Sequence, residues 1–205
     1  MSKKRKTERP DAASLGLPPG GVDSHAHLDL ADFAEDREEV IARARAAGVS
    51  RLGQVFLGPA AYAANAGLFA DRPEFFFILG IHPHDATTAT DQALAEVAAA
   101  CRADSRIRAV GEAGLDYYYD LSPRDVQRRA FAAQAELARG LGLPLVIRCR
   151  DAVYDTLRIL MDLGLSPRPV LWHCFGGAAG LARALLARSE GHTSELQSRF
   201  GSSYA

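Results

Sequence analysis

Histidine, carboxylate and arginine side chains recur in this 205-residue sequence where short apolar runs end. These side chains belong to His25, His27, His82, His84, Glu112, Asp116, Arg150 and His173. Neutral imidazole and carboxylate oxygen are common ligands of zinc and related divalent metals. The histidines and carboxylates are therefore candidate metal ligands.

The first candidate metal ligands, His25 and His27, are two residues apart. In an extended strand this spacing turns both imidazoles to one side, so that both can bind one ion. For one isolated pair a structural role is favoured, but polar residues at five strand ends reverse that preference. Glu112 follows another apolar run, and Gly111 and Gly114 let the backbone turn beside it. This carboxylate could bridge two metal ions or form a buried ion pair with an arginine.

Three further groups have two interpretations each. His82 and His84 either contact substrate phosphate or hold their loop by hydrogen bonds, and the sequence favours neither. His173 precedes a glycine turn and is a plausible ligand, whereas Cys174 should face the opposite way and pack in the core. Residues Tyr117–Tyr119 could stack on a base, but a role in covering the mouth of a barrel is favoured.

Six short β-rich runs alternate with Ala- and Leu-rich amphipathic stretches, which predicts repeated βα units on a parallel sheet. The predicted strands lie near Gly21–Asp23, Arg51–Leu57, Phe75–Gly80, Ile107–Gly111, Leu145–Cys149 and Pro169–His173. The carboxyl ends of parallel strands share one edge, so the polar residues at these ends should converge. A doubly wound sheet and an eight-unit barrel both fit this periodicity. No GxGxxG or GxxxxGK[ST] motif supports the nucleotide-binding form of the doubly wound sheet.

The clearest predicted helix begins with Ser122 as its N-cap and Pro123 at its first position. It runs through Arg139 and ends at Gly140 or Gly142. A second helix is predicted over 35–47, with its small apolar side chains facing the sheet.

Composition favours one soluble domain. The chain has 24 basic and 25 acidic residues and a net charge of −1, so any contact with nucleic acid must be local. Residues 1–20 form a basic tail that we expect to be disordered. Three cysteines without CxxC spacing argue against a disulfide framework and indicate a reducing cytoplasm. No apolar run is long enough to span a membrane, and we predict neither a membrane association nor a stable protein partner.

Four motifs in order resemble those of the TatD family, a DNA-cleaving branch of the amidohydrolase superfamily. They are Val22-Asp23-Ser24-His25-Ala26-His27-Leu28-Asp29, Gly80-Ile81-His82-Pro83-His84, Gly111-Glu112-Ala113-Gly114-Leu115-Asp116 and His173-Cys174-Phe175-Gly176-Gly177. The resemblance implies a TIM-type (β/α) barrel with about six of its eight βα units present, over residues 21–187. It also implies one or two divalent ions (magnesium, manganese or zinc) and metal-dependent hydrolysis of DNA phosphodiester bonds.

The resemblance also implies a role for each matching residue. His25 and His27 would hold the first metal, Glu112 would bridge as a catalytic ligand, and His173 would serve the second metal. Arg150 would contact phosphate as a second catalytic residue. We expect further substrate contacts from His82, His84, Asp116 and Arg148. Two other functions stay open: hydrolysis of another ester, amide or phosphoester, and noncatalytic binding of phosphate or nucleic acid.

The sequence departs from the family pattern in two places. Arg148-Cys149-Arg150 stands where the family usually has His, one residue and Arg, and a guanidinium cannot bind a metal. Arg148 either replaces the second ion by clamping phosphate or abolishes that position, and a one-metal site is our hypothesis. Family members also continue for several tens of residues, with two more strands and an Asp near the eighth. We expect residues 188–205 to be a non-native tail without a strand, and activity to be impaired.

Overall fold

The computed structural model describes residues 14, 18–164, 170–173, 175, 180, 183 and 193–194. Seven parallel strands form one curled sheet, and their order in the sheet follows their order in the chain. They are β1 (Gly21–Ala26), β2 (Val49–Leu57), β3 (Phe75–Gly80), β4 (Ile107–Asp116), β5 (Leu145–Arg150), β6 (Val170–His173) and β7 (Thr193–Ser194). The six strands predicted from the sequence are confirmed, and the parallel sheet is that of a partial (β/α) barrel.

Helices connect successive strands within the described ranges. They are α1 (Arg37–Ala46), α2 (Pro59–Asn65), α3 (Asp91–Ala103), α4 (Arg124–Leu141) and α5 (Val153–Asp162). Three short 3-10 segments, Ala31–Phe33, Ala66–Phe69 and Pro83–Thr88, complete the connections. Since parallel neighbours need a crossover between them, this alternation of strand and helix produces the sheet order directly.

Side chains alternate between the two faces of the sheet. In β3, Phe75, Phe77 and Leu79 pack in the core beneath the helices, whereas Ile78 belongs to a small cluster on the other face. In β5, Ile147 lies in the helix-side core and Val146 joins Ile78. The two-residue period of a strand therefore assigns alternate side chains of β5 and β6 to the inner face, where the polar groups gather.

The start of α4 differs from the sequence prediction. Pro123, not Ser122, is the residue before the first helical turn, and its position has no side-chain cap. The Ser122 hydroxyl is buried and donates to the backbone carbonyl of His84 at 2.7 Å, so it is not available to cap the helix. The predicted end is confirmed, because Gly142 has the left-handed backbone (φ 70°) that ends a helix.

The sequence pattern predicts no strand after Ala187, and this is wrong at two residues. Thr193 pairs with Leu171 and Ser194 with Trp172, which makes β7 the neighbour of β6. A strand edge pairs through backbone N–H and C=O groups, so this pairing needs no apolar side-chain pattern. The basic run near the N-terminus, Cys174 and most of the 188–205 segment lie outside the described residues. Of the helices that are described, none is long and apolar enough to cross a membrane.

Candidate metal centre

Glu112 in β4 is the centre of the polar cluster at the carboxyl ends of the strands. It is 2% exposed, and five side chains from four other strand ends surround it. They belong to His25, His27, His82, Arg148 and His173. The structure thus brings these strand-end side chains together, as predicted from the sequence.

The two oxygens of Glu112 face different groups. Oε2 lies 3.2 Å from His25 Nε2 and 4.0 Å from His27 Nε2. Oε1 lies 3.4 Å from Arg148 Nη1, 3.9 Å from His173 Nε2 and 4.0 Å from His82 Nε2. One carboxylate therefore joins a pair of histidines on one side to two histidines and an arginine on the other.

The histidines are held in defined orientations. The rings of His25 and His173 are stacked, with centroids 3.5 Å apart and planes 13° from parallel. His27 Nδ1 lies 3.3 Å from the backbone carbonyl of Val55. Because a carbonyl only accepts, His27 Nδ1 carries the proton, and the lone pair of the neutral ring is on Nε2. That atom faces the cluster and is free to bind a cation.

The donor set fits a divalent metal ion. His25, Glu112 and His173 each offer a ligand atom within 4.8 Å of the others. The Nε2 atoms of His25 and His27 are 3.2 Å apart. Ligand atoms around tetrahedral zinc with bonds of about 2.0–2.1 Å are about 3.3–3.4 Å apart, so this spacing is that of two neighbouring ligands. These residues therefore indicate a site for a divalent metal cofactor.

The protonation states of the cluster residues also favour the binding of a metal ion. Burial lowers the pKa of His27, and the neighbouring His25 lowers it further. Burial lowers the pKa of His82 to about 4, so this ring is neutral at pH 7. Burial alone would raise the pKa of Glu112, but hydrogen bonding to His25 and the nearby histidines outweigh it and hold this pKa below its usual range. The neutral imidazoles of His27 and His82 beside the ionised Glu112 suit the binding of a cation.

Asp116 forms a second polar group at the end of β4. It is fully buried, and its Oδ2 lies 3.0 Å from His84 Nε2 and 3.6 Å from Arg148 Nη2. Arg148 thus spans the carboxylates of Glu112 and Asp116. The backbone N–H of His84 also donates to His82 Nδ1 at 3.2 Å. Both histidines therefore make hydrogen bonds that hold their loop, which is one of the two roles that the sequence left open for them.

Arg150 is placed apart from these carboxylates. Its guanidinium lies 3.9 Å from the ring centre of Tyr118 and 4.6 Å from that of Tyr119. Among the ion pairs found between described residues, none joins Arg150 to Glu112 or Asp116. Its contact with phosphate stays a prediction.

Sequence reasoning missed three buried glutamines that fix the backbone beside the site: Gln54, Gln127 and Gln134. Each side-chain carbonyl accepts a backbone N–H next to or at a site residue. The donors are Leu28 at 2.8 Å, Asp116 at 2.8 Å and Ile81 at 2.7 Å. The sequence did carry a signal for them. Gln54 lies within the apolar run of β2, and Gln127 and Gln134 are seven residues apart on one face of α4.

A family model described as TatD related DNase matches residues 22–194. A metal-dependent hydrolase of Bacillus subtilis is 36% identical over 161 residues, which are 78% of this chain and 63% of that protein. A protein named 3'-5' ssDNA/RNA exonuclease TatD, from Cronobacter sakazakii, is 38% identical over 165 residues, or 79% of this chain and 61% of that protein. The chain therefore spans about three fifths of the length of these relatives.

Solved structures give the same result for the fold. The TatD homologue YjjV of Escherichia coli superimposes with a TM-score of 0.76 at 25% identity, over 84% of this chain and 66% of that one. A TatD family hydrolase of Entamoeba histolytica, at 20% identity, has a TM-score of 0.74 over 87% of this chain and 65% of that one. Since the family model extends from β1 to β7 and includes each residue of the Glu112 cluster, this chain belongs to the TatD family.

Proposed function

We propose that this chain is a metal-dependent nuclease that hydrolyses phosphodiester bonds in DNA. The observation that carries the proposal is the buried Glu112 carboxylate with histidines on both sides and arginine beside it. The names of its curated relatives, a metal-dependent hydrolase and a 3'-5' ssDNA/RNA exonuclease, support the same reaction class.

The ligands for the metal would be His25, His27, Glu112 and His173. A divalent ion bound there supplies Lewis-acid chemistry, drawing electron density from a phosphoryl group and making a nearby water more acidic. The protein holds these ligands ready, because Glu112 stays ionised and the Nε2 of His27 is unprotonated in the neutral ring.

His82 is suited to bind the phosphate as a neutral donor. Its Nδ1 accepts the backbone N–H of His84, so the proton of the neutral ring is on Nε2. That Nε2–H lies 4.0 Å from Glu112 Oε1, on the inner side of the cluster. A phosphoryl oxygen there would receive a hydrogen bond from His82, and we expect Arg150 to attract the charge of the same phosphate. The water oxygen would form the new P–O bond as the P–O bond to the leaving nucleotide breaks, and of the two water protons one would end on the leaving hydroxyl and the other in solvent.

Arg148 leads us to propose a single metal ion. Its guanidinium is permanently charged and lies 3.4 Å from Glu112 Oε1, so it would repel a second cation on that side of the carboxylate. Metal counting on chelator-stripped, reloaded protein should give one manganese or zinc ion per chain. Arg148→His should raise the count to two, and Arg148→Gln, which removes the charge without adding an imidazole, should leave it at one. Two tightly bound ions in the unaltered protein would refute this.

A cleavage assay tests the function itself. Labelled single-stranded and duplex DNA should be cut in the presence of magnesium, manganese or zinc, and cutting should stop with a chelator. Glu112→Gln should reduce the rate by about 100-fold or more, since metal stabilisation contributes several kcal/mol. The matched control is Glu39→Gln, at an exposed carboxylate on α1, which should cut normally. Metal-dependent hydrolysis of other esters or amides but not DNA would favour the first alternative function. DNA binding without turnover would favour the second.

A further inference from the structure

Two tyrosines beside the site present their rings to solvent. Tyr118 is 59% exposed and Tyr119 is 43% exposed, and they are the second and third residues after the end of β4. Their rings meet edge to face, with centroids 5.0 Å apart and planes at 88°. Covering the barrel mouth stays one interpretation of these rings, and their exposure also leaves them open to stack on a base. Exposed, adjacent aromatic surfaces are typical of binding sites.

The position of these rings is fixed by the site itself. Asp116 Oδ1 accepts the backbone N–H groups of Tyr118 at 3.1 Å and Tyr119 at 2.9 Å. The other oxygen of the same carboxylate contacts His84 and Arg148. The ring of His84 also meets that of Tyr119 edge to face at 5.4 Å. The tyrosines are therefore attached to the residues that surround the metal centre.

A positive charge lies against both rings. The Arg150 guanidinium packs against both rings, and Arg150 is two residues beyond Arg148 on the same strand. Successive residues with this spacing point to one face of a sheet. An aromatic surface next to a guanidinium suits a ring attached to a phosphate, because the ring can stack while the cation attracts the charge.

We infer that Tyr118, Tyr119 and Arg150 form a subsite for a nucleobase next to the scissile phosphate. The inference rests on the proposed function for its phosphodiester substrate and names the residues that would hold a base of that substrate. Bases of a duplex are already stacked on their neighbours, whereas an unpaired base offers its face to an aromatic side chain. A base held in this way has to be unpaired, which agrees with the single-stranded substrate in the name of the Cronobacter sakazakii relative.

Binding without cleavage tests the subsite separately from the proposed function. Fluorescence anisotropy would compare a short single-stranded oligonucleotide with the same oligonucleotide made abasic at its 3' end, in chelator and again with calcium. The unaltered protein should bind the complete oligonucleotide about 5- to 150-fold more tightly, the range expected for one stacked base. Tyr118→Ala and Tyr119→Ala should lose this preference, and Tyr118→Phe and Tyr119→Phe should keep it, because only the ring is needed.

The outcomes separate the two proposals. Equal affinity for the two oligonucleotides, or no measurable binding of either, overturns the base subsite. So does an alanine variant that is folded, by the fluorescence of buried Trp172, and still prefers the complete oligonucleotide. A preserved base preference without metal-dependent cleavage refutes the proposed function and supports the subsite. Cleavage without base preference refutes the subsite alone.

Discussion

Replacing Gln134 with methionine tests how helix α4 positions the site. Gln134 is 1% exposed, and its side-chain carbonyl accepts the backbone N–H of Ile81 at 2.7 Å. Its amide donates to the backbone carbonyl of the same residue at 3.0 Å. Ile81 directly precedes His82, so one side chain satisfies both backbone groups that lead into the site. Methionine has a similar length and shape but offers neither a strong donor nor an acceptor.

The expected loss of stability follows from these two bonds. Ile81 is 2% exposed, so no solvent replaces the lost partners. Each buried polar group left unsatisfied costs about 1–3 kcal/mol, which gives about 2–6 kcal/mol for Gln134→Met. A domain has a free energy of unfolding of about 5–15 kcal/mol, so this loss is a large part of the total.

Urea unfolding followed by tryptophan fluorescence measures the effect. The chain has one tryptophan, Trp172, which is 3% exposed in β6 and reports loss of the core. The control is Gln92→Met, at an exposed glutamine of α3 whose amide donates to Glu96 on the same helix, and it should change stability by less than about 0.5 kcal/mol. If Gln134→Met is as stable as the Gln92→Met control, the reasoning is refuted.

Two further predictions concern a glycine and an ion pair. Gly114→Ala should destabilise the fold by about 3 kcal/mol or more, since Gly114 has φ +149° and an added Cβ would lie 1.9 Å from the Arg148 carbonyl oxygen. Gly140→Ala, in open space on α4, should instead stabilise by about 0.5–1 kcal/mol, and thermal unfolding compares the two. Asp104→Asn should make the free energy of unfolding fall less steeply at acidic pH than it does in the unaltered protein. The reason is that hydrogen bonding to Arg106 lowers the pKa of Asp104 from 3.8. With a lowered pKa, Asp104 stabilises the fold above its unfolded pKa of 3.8, and this contribution is lost as the pH falls below that value through the folded pKa.

The contrary results are equally specific. If Gly114→Ala unfolds at the temperature of Gly140→Ala, β4 and β5 do not approach as closely as the structure shows. If the unaltered protein and Asp104→Asn lose stability in parallel between pH 6 and pH 2, the Asp104–Arg106 ion pair contributes nothing.

The sequence predicted the site because its chemistry follows from strand geometry. His25, Glu112 and His173 each lie at or near the end of an apolar run, and parallel strands bring such ends to one edge. The same reasoning predicts the six strands and the glycine end of α4. These features depend on local periods and local backbone preferences, which can be read from neighbouring residues.

The parts that were missed depend on partners distant in sequence. Ser122 has the composition of a helix cap, but its hydroxyl binds a carbonyl 38 residues away. Gln134 binds Ile81 across 53 residues, and Gln54 binds Leu28 across 26. Likewise, the sequence left open whether Glu112 binds metal ions or forms an ion pair with an arginine. In the structure, Arg148 lies beside one of its oxygens and His25 beside the other. No local pattern distinguishes these arrangements.

The central claim is that the Glu112 cluster binds a divalent metal ion, and calorimetric titration of chelator-stripped protein with manganese or zinc tests it most directly. The unaltered chain should bind the ion saturably, whereas Glu112→Gln and His25→Gln should weaken binding by about 10-fold or more while remaining folded. Equal binding by the unaltered protein and both variants would show that this cluster is not the metal site.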